Sequence, residues 1–113
     1  MNPENLPTMT ELADVASLVE IAPDSTVSRT VLKADGARLV LFSFDVGQEL
    51  TEHTAVMPVL LQALDGHFQI TADGRTVDLR PGDVIHLGAR VPHAVVAKLP
   101  SKLLLTMLDP RTS

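Results

Sequence analysis

The stretch Gly47-Gln48-Glu49-Leu50-Thr51-Glu52-His53-Thr54-Ala55, answered further along by Pro81-Gly82-Asp83 and Val91-Pro92-His93, decides how this chain is read. Each histidine stands where a strand follows a turn. That placement brings two imidazoles together if the strands close into a small barrel. The surrounding residues then decide between a metal enzyme and a metal-free binding barrel.

The flanking sequence supports strands. Residues 27–33 are a β-branched run ended by the turn Ala34-Asp35-Gly36-Ala37, and residues 38–45 form its hairpin partner. Residues 53–64 read as one long strand, with Pro58 marking a bulge or an edge. Asp65-Gly66 and Asp73-Gly74 bracket a strand over 67–72, and Asp73-Gly74 is a two-residue hairpin signal before 75–79. Strands over 84–87, 94–98 and 102–108 complete the set. Short strands punctuated by Gly and Asp predict an all-β antiparallel sandwich or barrel. Before them, residues 1–8 read as a loose arm. Residues 10–18 read as a short helix capped by Thr10 with carboxylates in its first turns.

The 113 residues make one domain (1–113), with an N-terminal arm or helix over 1–20 and a barrel over 27–108. A 45% hydrophobic content supplies a core. With no Cys, the chain has no disulfide, thiolate nucleophile or zinc-thiolate site. Its only aromatics are Phe42, Phe44 and Phe68, too few for a base-stacking platform. The net charge is −5 and the basic residues are scattered, which argues against nucleic acid and anionic membrane as partners. No signal-peptide pattern or membrane-length apolar run is visible, so the expectation is a soluble cytoplasmic protein.

Residues 56–64 and 103–108 are apolar on both strand parities. Such strands are normally covered on both sides. The expected outer cover is a second subunit, giving a homodimer.

The segment from Gly47 to His93 resembles the two-motif signature of the cupin superfamily, and looks closest to compact single-domain RmlC-like cupins of the cupin-2 type. Gly47, His53 and Gly66 match the first motif; Gly82 and His93 match the second. The resemblance implies a double-stranded β-helix, the cupin or jelly-roll barrel. In the family pattern a second histidine, a glutamate and a closing asparagine stand where this chain has Ala55, Val59 and Ala97. The Pro and Gly of the second-motif loop are Gly88 and Arg90. Of the family's metal ligands, His53 and His93 are retained.

On a continuous strand His53, Ala55, Met57 and Val59 share one face. With His93 they are the candidate pocket residues, an apolar lining around two imidazoles. His53 and His93 are also the candidate metal ligands for Fe, Mn, Ni or Zn. His86 is a candidate third ligand whose facing direction the sequence leaves open, and a metal-free site stays open beside these. His67, next to a turn, is expected in solvent, as are Glu49 and Glu52. Met57 is read as core or as an adaptable pocket wall. Arg29 and Arg90 are read as surface cations or as carboxylate anchors at a pocket mouth, and Asp83 as a turn stabiliser.

Two functions follow. One is a barrel binding a small, largely apolar or weakly acidic metabolite. The other is a metal-dependent cupin dioxygenase, isomerase or decarboxylase using His53 and His93. The catalytic residues are not identified by either.

Overall fold

The structure, a computed structural model, describes residues 8–109. Nine strands form two antiparallel sheets: β1 Thr26–Ala34, β2 Ala37–Phe44, β3 Glu49–His53, β4 Val59–Asp65, β5 Phe68–Ala72, β6 Arg75–Leu79, β7 Val84–Leu87, β8 His93–Ala97 and β9 Ser101–Leu108. One sheet runs β1-β2-β9-β4-β7 and the other β3-β8-β5-β6. This is the jelly-roll double-stranded β-helix.

Alternate residues of both sheets face each other across the core. Val59, Leu61 and Ala63 of β4 meet Leu103 and Leu105 of β9, and Phe68 and Ile70 of β5 meet Val95 and Ala97 of β8. Phe44 and Phe68 meet edge to face, ring centroids 5.2 Å apart at 80°. Such a pair adds about 0.5–1.5 kcal/mol beyond its buried area. The turn before β5 depends on Gly66, whose φ is +83°. A Cβ there would lie 2.6 Å from the carbonyl oxygen of Pro100 and collide with the Ser101 side chain. Ser101 is fully buried, and its hydroxyl accepts from the His67 amide and donates to the Leu99 carbonyl.

The stretch 53–64 is two strands rather than one. β3 ends at His53 in one sheet and β4 begins at Val59 in the other, so the chain changes sheets over residues 54–58. Pro58 sits in this crossover, where its lack of an amide donor costs no ladder bond and its carbonyl accepts from the Leu108 amide. Asp83 stabilises its turn as expected, accepting from the Arg80 amide.

The expected helix over 10–18 is a single 3₁₀ turn over Val15–Leu18, with Asp14 in left-handed conformation before it and no side-chain cap. Nucleating a helix is costly for so short a segment, and this segment's backbone is used otherwise. Its carbonyls at Ala16, Leu18 and Glu20 accept from Lys102 Nζ, Arg29 Nη1 and Ser43 Oγ. The segment therefore lies across the outward side of β1, β2 and β9. There Leu41, on the parity opposite Phe42 and Phe44, is 0% exposed. At that point the N-terminal segment covers the outward side of β2. Arm residues 1–7 lie outside the described residues. Among the described residues no helix is long and apolar enough to cross a membrane.

Candidate functional site

His53 and His93 are direct register partners across β3 and β8. Strand period alone would not put His53 on the inner face. Leu50, three residues earlier, pairs with Val95 and packs against the core. An odd spacing should turn His53 outward. A bulge between Leu50 and His53 sets three steps of β3 against two of β8 and restores the inward direction. The ring centroids are then 4.3 Å apart, inclined by 58°.

The two rings are oriented in the same way. Nδ1 of His53 lies 2.9 Å from the Thr51 carbonyl, and Nδ1 of His93 lies 2.9 Å from the Val91 carbonyl. A carbonyl only accepts, so each Nδ1 carries the proton and donates. In the neutral ring each Nε2 then presents a lone pair. His93 is 2% exposed, whereas His53 stands open to solvent.

Around them the candidate positions separate. Ala55 is half-buried against the core, and its carbonyl accepts from the Arg90 amide at 2.8 Å. That bond ties the crossover after His53 to the loop before His93, with Arg90 at a φ of 64°. Val59 is 1% exposed, held between Leu87 and Met107 in register. Met57 points elsewhere: it lines a cavity of about 320 Å³ with the β1–β2 hairpin, Met107 and Leu108. The strand break at residue 54 is why Met57 does not continue the face of His53. His86 sits on the exposed parity of β7, opposite Ile85 and Leu87, whose side chains pack inward.

No group of three or more His, Cys, Asp or Glu among the described residues could hold a metal. Two imidazoles with bare Nε2 atoms have the orientation of metal ligands. As a donor set they fall short, because catalytic zinc takes three protein ligands and non-haem iron two His with a carboxylate. Val59 and Ala55 supply neither a third donor nor negative charge, so the residues do not fit a resident metal of those types.

A second cavity, of about 170 Å³, adjoins the pair. Neither histidine lines it. It is reached through Ala72, the register partner of His93, and through Val91, whose carbonyl His93 bonds. It opens where the sheet edges β6 and β7 face each other unpaired. Ile70, Val77, Ile85 and Leu87 form its walls; Asp73, Arg75 and His86 stand at its rim. Arg75 is the feature the sequence reading missed. Its register partner is Ala72, on the same row as His53 and His93, and a hairpin register argument around Asp73-Gly74 would have found it. The two arginines singled out from sequence lie elsewhere: Arg29 bonds the N-terminal segment, and Arg90 lies exposed in the loop before His93.

His67 is not free in solvent. Its Nε2 meets Asp78 Oδ1 at 2.7 Å, with 21% of the side chain exposed. The hydrogen bond from His67, with a weaker contribution from Arg80, lowers the Asp78 pKa below the ordinary carboxylate value.

No family model matches the chain, and no curated protein matches it. Solved structures do. A cupin superfamily protein from Desulfitobacterium hafniense is 33% identical, with a TM-score of 0.79, the match covering 92% of this chain and 94% of that one. A conserved protein of unknown function from Streptococcus pyogenes is 29% identical, with a TM-score of 0.79 and coverage of 94% and 93%. A salicylate 1,2-dioxygenase variant from Pseudoaminobacter salicylatoxidans shares the fold at 16% identity and a TM-score of 0.69, covering 77% of this chain and 27% of that one. Two sheets closed around an inward histidine pair define a small cupin barrel. The chain belongs to the cupin superfamily.

Proposed function

We propose that this cupin binds a small, largely apolar or weakly acidic molecule in the cleft beside His53 and His93, without a catalytic metal. The observation that carries the reading is the pairing of an apolar cleft with only two convergent imidazoles. A cation among Ala55, Val59 and Val91 would give up hydration with no carboxylate to offset the loss. The imidazoles serve instead as hydrogen-bonding groups, each Nε2 accepting a hydrogen bond from a ligand hydroxyl, carboxylic acid or amide N–H. Elemental analysis of protein purified without chelator or metal-affinity resin tests this: no stoichiometric metal is expected, and near-complete occupancy overturns it. His53→Ala is expected to weaken ligand binding by a hydrogen bond's worth, about 1–3 kcal/mol.

A second reading, a metal-dependent dioxygenase, isomerase or decarboxylase on His53 and His93, is favoured by the shared Nδ1-to-carbonyl orientation. It requires His93→Ala to abolish metal retention, and fails if retention persists. The chain is also read as a homodimer. Val84, 58% exposed, and the half-buried Leu60 and Leu104 on the outward side of the larger sheet support this. Light scattering at the mass of one chain overturns it.

A further inference from the structure

We infer that Arg75 makes the cleft selective for a small carboxylate with a compact apolar body, its guanidinium holding the carboxylate at the rim while the body fills the apolar floor. The inference rests on the proposed binding function and names its ligand class.

Register fixes where Arg75 points. It pairs with Ala72 in the β5–β6 hairpin, and Val77, two residues on, pairs with Ile70. Ile70 and Val77 face the core, so Arg75 shares their parity and leans over the cleft it lines. Among the described residues Arg75 makes no ion pair and no side-chain hydrogen bond. Asp73 lines the same cleft, yet no ion pair joins the two. The guanidinium fork thus keeps its donors available, and the fork's geometry suits a carboxylate taken by two parallel bonds.

Size and chemistry restrict the rest of the ligand. The cleft holds about 170 Å³. An apolar cavity of roughly 150 Å³ accepts benzene in another protein. The floor of Ile70, Val77, Ile85 and Leu87 offers no polar side chain to a sugar or a polyol. A body about the size of one six-membered ring, with its charge at one end, is what these walls take.

Benzoate and benzamide have the same shape and differ in charge, so they separate the two parts of the argument. Each is titrated into the isotopically labelled protein while the methyl signals of Ile70, Val77 and Leu87 are followed. Benzoate is expected to shift these methyls and to bind about tenfold or more tighter than benzamide, with the advantage shrinking as salt is raised. Arg75→Met should remove the advantage, so that benzoate binds no tighter than benzamide. Arg80→Met, an exposed arginine outside the cleft, should leave both ligands unchanged. Equal binding of acid and amide, or a preference that survives Arg75→Met, overturns the carboxylate assignment while the binding cleft stands. If neither compound moves the three methyl signals, both the assignment and the binding function fall.

Discussion

At the end of the barrel where Gly66 turns, Phe44 and Phe68 interlock and Ser101 is sealed among backbone partners. At the other end, His53 and His93 stand ring to ring, with Arg75 on the same row of registered residues and an open cleft beside them. The strands are the same at both ends. At the first, Phe44 and Phe68 fill the interior and the buried Ser101 hydroxyl has its hydrogen bonds met inside the protein. At the second, bare Nε2 lone pairs and an unpaired guanidinium face the cleft or the solvent, where a ligand can meet them. The tightest packing lies at one end and the proposed binding site at the other.

Mutations that respect this division should differ sharply in cost. Phe68→Ala, at the closed end, is expected to destabilise by about 3–5 kcal/mol, seen as a lower denaturation midpoint in urea with an unchanged slope. A loss below ~1 kcal/mol would mean that the aromatic pair is not the keystone of that end. Gly66→Ala should cost about 2–4 kcal/mol, because a left-handed φ is combined with a collision against the Pro100 carbonyl. At the open end, His53→Ala removes an exposed side chain with one local bond and should change stability by less than about 1 kcal/mol. A cost as large as that of Phe68→Ala would erase the contrast between the ends.

The smallest expected effect lies on the exposed surface of the closed end. The Asp78 carboxyl is held below its ordinary pKa, chiefly by the hydrogen bond from His67. A depressed folded-state pKa contributes stability above the unfolded carboxylate value, which is lost as pH falls through the folded value. Asp78→Asn should therefore flatten the acid limb of the stability–pH curve slightly. Because Asp78 is exposed, the change should be near the limit of thermal-shift measurement.

Much of this molecule was legible in the sequence. Strands β1, β2 and β5 to β9 fall within a residue or so of their turn signals, because Gly, Asp and Pro punctuate local backbone conformation and β-branched runs fill the segments between. The cupin barrel followed from Gly47, His53, Gly66, Gly82 and His93. The strand break after His53 did not, because residues 53–64 keep an apolar composition across the point where the chain changes sheets.

By itself, then, the sequence determined the barrel, the two histidines and the replacement of the other ligand positions by Ala55, Val59 and Ala97. Tertiary structure alone decided which way each side chain faces. A bulge in β3 turns His53 inward, β7 turns His86 outward, and the crossover sends Met57 to a different cavity. It also brought Arg75 onto the row of the histidine pair and laid the N-terminal segment over Leu41. The physical reason is that side-chain direction in a sheet changes with each single-residue shift of register. Bulges and sheet changes are set by pairing between strands far apart in the chain, not by the residues on either side of them.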